Sequence, residues 1–155
     1  MNALWQILDP AAVALQLQAR RKDEALVEMA GLLVRAGKIR EPAALVESLR
    51  AREKQVSTGI GQGIAIPHCV CPQLESTVLA LGRKPEGLPF DSIDRRPVRL
   101  VFLLAGPAGQ QTTHLRLLSR LARLLRDPTF GAALLAAASP EQIIELLRQA
   151  EQNET

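Results

Sequence analysis

The chain has 155 residues, of which 47% are apolar and only 3% aromatic, and a net charge of +3. That length suits one domain, 1–155, with a core that Leu, Ile, Val and Ala must fill. Few rings argue against nucleic-acid stacking, no window reaches the ~18–20 apolar residues of a membrane span, and so small and scattered a charge selects no partner by itself.

In chain order, Met1 to Pro10 lacks the basic and apolar regions of a secretory signal. Asp9-Pro10 reads as a start signal, after which Val13, Leu15 and Leu17 alternate with Ala14, Gln16 and Gln18. Period two predicts a strand, although Ala, Leu and Gln accept a helix equally well. From Lys22 the period changes: Leu26, Met29, Ala30, Leu33 and Val34 share one helical face, and Gly37 ends the helix. Pro42 opens a second helix, with Leu45, Val46 and Leu49 inward and Arg50, Arg52 and Lys54 in its last turn, where cations are favoured. A glycine-rich stretch follows, then a loop from Cys69 to Ser76 and a short apolar run from Thr77 to Leu81.

Lys84 to Pro97 is rich in Pro, Gly and Asp and reads as a connection. Val98 to Ala105, bounded by Pro97 and Gly106, has the length and continuous apolar character of a central strand buried on both faces. A long helix begins near Thr112 or Thr113 and runs to about Arg126. Asp127-Pro128 and Ser139-Pro140-Glu141-Gln142 each open another by N-cap and proline, the second with capping-box spacing. Ile143, Ile144 and Leu147 mark the face of the last helix, and Glu151 to Thr155 is expected to fray. This order predicts a single-domain α/β sandwich with a mixed sheet.

The chemistry gathers around Ser57-Thr58-Gly59-Ile60-Gly61-Gln62-Gly63-Ile64-Ala65-Ile66-Pro67-His68. Glycines at alternate positions let backbone amides approach an anion closely; they also serve a β-bulge or tight packing. His68 stands at a strand end, mostly neutral near pH 7, with one ring nitrogen free to attack. Attack on a phosphoryl group gives a phosphohistidine, whose charge has to be met by amides, a histidine or an arginine. The other histidine, His114, shares a helical stripe with Leu118, Leu121 and Leu125, opposite Arg116, Arg120 and Arg123. It therefore points inward from a first helical turn, where amides attract anions, though a histidine on such a face also serves as plain core. Arg52 is the nearest upstream guanidinium. No Walker loop is present, and His68, Cys69 and Cys71 are too cramped for the usual zinc spacing, so neither metal nor cofactor is expected. Cys69 and Cys71 also suit no structural disulfide, which makes a reduced, cytoplasmic protein the expectation.

Arg52-Glu53-Lys54 and the run Ser57 to His68 closely resemble the signature of enzyme IIA domains of the fructose/mannitol type, phosphocarriers of the bacterial phosphoenolpyruvate-dependent phosphotransferase system. A Gln/Thr-rich loop before Thr113-His114-Leu115 resembles the second signature, with Leu88-Pro89-Phe90 and Pro97-Val98 between them. The resemblance covers about Leu8 to Leu147. It implies a mixed, mainly five-stranded sheet flanked by helices. It also implies His68 as the residue phosphorylated by HPr or a paralogue, with His114 and Arg52 supporting the phosphoryl group. Thr58, Gly59, Gly61 and Gly63 are the candidate phosphate-binding loop. Gln62 departs from the family's frequent Asn. Cys69-Val70-Cys71 departs from small or basic residues, and raises the hypothesis that thiol oxidation beside His68 blocks transfer.

Three roles fit these residues. The first is a regulatory, nitrogen-type enzyme IIA that controls other proteins by its phosphorylation state. The second is a sugar-specific enzyme IIA that hands phosphate to a cysteine of an enzyme IIB. The third, a binding module that has lost phosphotransfer, is opposed by the presence of both histidines.

Overall fold

The computed structural model describes residues 3–154. A single helical turn, α1 (Leu4–Ile7), runs directly into β1 (Leu8–Ala14), and α2 (Lys22–Arg35) and α3 (Ala43–Gln55) follow. Three short strands come next, β2 (Gly59–Gly61), β3 (Ile64–Ala65) and β4 (His68–Val70). Two long strands, β5 (Val78–Leu88) and β6 (Val98–Gly106), precede α4 (Gln111–Leu124), α5 (Pro128–Ala136) and α6 (Pro140–Gln152). Asp9-Pro10 lies inside β1 rather than ahead of it. Proline is tolerated there because β1 is an edge strand of the sheet.

The sheet is mixed, in the order β1-β5-β6-β3-β2, with β4 also paired to β6. β3 and β4 succeed one another along the same side of β6, Ile64 beside Leu100 and His68 beside Leu104. Between them lies Pro67, which has no N–H to give to a ladder. Six strands thus occupy five lanes, one lane being broken immediately before His68. β6 is the buried central strand that its apolar run predicts, every residue but Arg99 being buried. β5 extends beyond the expected run to Leu88, with irregular pairing between Arg83 and Leu88 that hides the strand behind a polar, Pro- and Gly-containing sequence.

Gly82 pairs with Val101 and has Met29 of α2 over it, whereas Gly106 has His114 of α4 over it. Val101 and Gly106 are five residues apart on one strand, so these are opposite faces. α2 and α3 therefore cover one face, and α4, with α5 and α6 beside it, covers the other. Leu117, Leu121, Leu124 and Leu125 carry α4 into the core while Leu118 is only half-buried. Arg120 is not simply solvated, because it pairs with Glu151 of α6 at 3.3 Å.

Both proline-capped helices start as expected. Asp127 accepts from the Thr129 amide and Ser139 from the Gln142 amide. The Gln142 side chain reaches one residue further back than a capping box requires, to the Ala138 amide. The C-terminal end is ordered, not frayed, through Glu154: Glu151 accepts from the amides of Leu4 and Trp5 at 2.9 and 2.8 Å, and Glu154 pairs with Arg123. Thr155 lies outside the described residues. Buried Arg83 donates to the carbonyls of Leu15, Leu134, Leu135 and Ala137, tying the end of α5 to the sheet edge. Among the described residues no helix is long and apolar enough to cross a membrane.

Candidate active site

Strand register brings the two histidines together. His68 lies beside Leu104 and Val70 beside Gly106, and neighbours across a sheet share a face. His68 therefore faces the α4 side. After β6 the chain turns through Gly106 to Gln110 and enters α4, whose first turn delivers His114 over Gly106. The ring centroids are 6.2 Å apart with planes inclined by 46°. That gap leaves a group on one ring within reach of the other.

The tautomer of His68 follows from its partner. Nδ1 lies 2.7 Å from the Ile66 carbonyl oxygen, and a carbonyl can only accept, so Nδ1 carries the proton and donates it. The lone pair is then on Nε2. Burial holds the His68 pKa below its ordinary value; the Ile66 bond opposes this, the Arg52 charge reinforces it and Glu53 opposes it. His114 is likewise held down by burial, then by the neighbouring His68. Both rings are therefore neutral at pH 7, the form that leaves a nitrogen nucleophilic. No side chain caps the start of α4, whose first-turn amides remain available beside His114.

Arg52 lies in the last turn of α3 and reaches forward past its end, Nη1 donating to the Val56 carbonyl at 2.9 Å. Its remaining nitrogens stay free to turn toward an anion. The next residue, Glu53, carries more of the local structure than its place in the motif announces. Its side chain is only 6% exposed and meets Lys22 Nζ at 2.6 Å. It also accepts from the Thr58 amide and hydroxyl. Lys22 in turn lies over the Phe90 ring, 5.1 Å from its centroid.

The glycine stretch is a hairpin, β2 against β3, laid on the loop 91–97. Gly61, Gln62 and Gly63 all have positive φ. The Gln62 amide donates to Asp94 at 2.9 Å, and the Asp94 carboxylate also takes the Arg96 amide. At Gly59 a Cβ would lie 2.3 Å from Ser92 Oγ, so only glycine lets this loop close down. The Gly59 amide goes to Ser57 Oγ, whose hydroxyl donates to the Phe90 carbonyl. Thr58 and Gly59 thus have their amides engaged within the fold, and Gly61 abuts the Asp94 carboxylate. The structure brings His68 and His114 together with Arg52 close enough to act on the His68 charge, and sets these glycines to shaping the hairpin.

With that geometry in hand, comparison with known proteins identifies the family. Residues 6–150 match the family model described as "Phosphoenolpyruvate-dependent sugar phosphotransferase system, EIIA 2". The chain belongs to this type-2 enzyme IIA family. It is 37% identical over 144 residues to a "Nitrogen regulatory protein" of Bradyrhizobium diazoefficiens, covering 93% of this chain and 94% of that one. To the "PTS system fructose-specific EIIABC component" of Bacillus subtilis it is 36% identical over 146 residues, 94% of this chain but 23% of that longer protein. The crystal structure of the nitrogen regulatory protein IIA-Ntr from Neisseria meningitidis superposes with a TM-score of 0.86 at 33% identity, covering 93% of this chain and 98% of that one.

Within this enzyme IIA fold the two cysteines take the face away from His68. Cys69 lies beside Ala105, on the α2–α3 side, and both thiols are buried. Burial, then the neighbouring Cys71, pushes the Cys69 pKa up to about 12. The enclosed Cys69 thiol is held neutral and is a poor target for oxidation, and both cysteines pack in the core. Glu53 and Asp94 are the residues sequence reasoning missed. Their signal was present in the spacing of Glu53 to Thr58 and in an Asp within a turn-rich loop, but only the fold says which amides they meet.

Proposed function

We propose that this enzyme IIA is a histidine phosphocarrier of the nitrogen-regulatory kind. In this reading a phosphohistidine on an HPr-like protein presents its phosphoryl group to His68. Nε2 of His68 donates its lone pair to phosphorus, the P–N bond of the donor breaks, and its electron pair returns to the donor nitrogen. The proton stays on Nδ1, and the Ile66 carbonyl oxygen that accepts its bond stabilises the positive charge the ring acquires. His114, the α4 amides and a swung-out Arg52 supply donors to the phosphoryl oxygens. The carrying observation is the His68–Ile66 bond at 2.7 Å, which leaves Nε2 as the nucleophile 6.2 Å, ring to ring, from His114.

The exposed side chains of Val70 and Leu115, each adjacent to a histidine-bearing segment, give a protein donor an apolar footing. A sugar-specific role is the second reading, supported by likeness to the fructose-specific relative, in which phosphate would pass to an enzyme IIB cysteine. Incubation with phosphoenolpyruvate, enzyme I and HPr should place acid-labile phosphate on the chain. No label, or label that survives His68→Ala, would overturn the proposal. Adding an enzyme IIB separates the two roles, since rapid loss of label to its cysteine favours the sugar-specific one.

A further inference from the structure

Three segments meet over Gly106. It closes β6; Thr77, one residue before β5, stands opposite it by continuation of the Val78–Ala105 pairing; and His114 descends from α4. A Cβ on Gly106 would lie 3.2 Å from His114 Nδ1 and 3.2 Å from Thr77 Oγ1. The two polar atoms thus converge on a space that only glycine leaves open. Both are buried and neither has a hydrogen-bond partner in the fold. Two such atoms left unmet are costly, and one bond between them relieves both.

We infer that Thr77 is a positioning residue for His114: its hydroxyl, unbonded as the structure stands, turns to donate to Nδ1 and thereby holds the proton of the neutral ring on Nε2. The purpose assigned to this bond rests on the phosphocarrier reading. A threonine hydroxyl can donate or accept, so the direction is set by what the other nitrogen must do. With Nδ1 protonated, Nε2 would present a lone pair to the oxygens of a phosphoryl group and repel them. With Nδ1 accepting from Thr77, Nε2–H becomes a donor aimed at the open side of the ring. Nδ1 is enclosed above Gly106, which leaves Nε2 as the nitrogen able to serve the site.

The test is ¹⁵N NMR of the histidine rings in the full, unphosphorylated chain, compared across wild type, Thr77→Ser and Thr77→Val. The wild type and the serine variant should show an unprotonated Nδ1 and a protonated Nε2 at His114, and the valine variant a mixture of tautomers. Onward phosphoryl transfer should slow about tenfold in the valine variant, the scale of one lost hydrogen bond, and be restored by serine. A protonated Nδ1 in the wild type would overturn the inference, and that reading stands even if the valine variant fails to fold. Wild-type tautomer and rate in Thr77→Val would overturn it as well. The tautomer is read without phosphate, so a failure of His68 to accept label leaves this result intact, and the reverse holds.

Discussion

The floor beneath the two histidines and the glycine hairpin beside it are built by different means. The floor is β4 and β6 with the start of α4, placed by strand register and by burial of nearly every residue of β6. The hairpin is β2 and β3, placed by three positive φ angles and by carboxylates: Glu53 at its base and Asp94 at its tip. A packed apolar floor fixes where rings sit to within a fraction of an ångström, because close packing leaves no room to drift. A hairpin held by polar clamps is fixed only while those clamps are intact. The difference teaches that chemistry and scaffold are separable here, and single substitutions can break one region without the other.

The largest effect should come from the hairpin's base. Glu53→Ala leaves the largely buried Lys22 with only the more distant Asp91 carboxylate, at 4.0 Å, and removes both bonds to Thr58. Stability should fall by about 3 kcal/mol, read by urea unfolding. An unchanged midpoint would mean that the clamp does not hold the hairpin. On the floor, Gly106→Ala pushes a methyl group against His114 and Thr77, each 3.2 Å from the new atom. Phosphoryl transfer should drop about tenfold, with a stability loss of only about 1 kcal/mol. If transfer and stability fell in the opposite proportion, the floor would be scaffold rather than site.

Smaller effects sharpen the same contrast. Gln62 is held at φ 58° between two glycines that share its positive sign. Gln62→Gly should therefore raise stability by about 0.5–1 kcal/mol while transfer stays unchanged. The Asn that relatives often carry here makes physical sense, since Asn visits the left-handed region more readily. A slower Gln62→Gly protein would show that the hairpin enters the chemistry.

The histidines add a pH signature. Both have folded pKa values below the ordinary 6.5, so the unfolded chain binds protons first as pH falls. Stability should decline as pH drops through about 6.5 toward the folded values, whereas phosphoryl acceptance stays flat past 6.5 and falls only below it. A midpoint for acceptance above 6.5 would contradict burial as the dominant cause.

Much of this was legible in the sequence where one strong signal stood alone. The long apolar run of β6, the Asp127-Pro128 and Ser139-Pro140 caps, and the inward phasing of His114 all survive in the structure. Failures came where tertiary context overrides composition. The polar half of β5 is a strand because β6 lies beside it, and Glu151 is ordered because two N-terminal amides need an acceptor. The glycine motif also has a part in the fold that its composition does not announce. Its amides at Thr58 and Gly59 face a carboxylate and a hydroxyl within the fold, and its glycines let loop 91–97 close. Pairing of Thr77 with Gly106 could not be read at all, because it depends on antiparallel register between strands that the sequence leaves unaligned.

His68 is expected to accept phosphate on one particular nitrogen, the one left free by its bond to Ile66. NMR of ³¹P–¹⁵N coupling in the ¹⁵N-histidine-labelled protein, phosphorylated through enzyme I and HPr, reads that atom directly. Coupling should appear to Nε2 of His68 with its Nδ1–H retained. Coupling to Nδ1 of His68, or to His114, would contradict it.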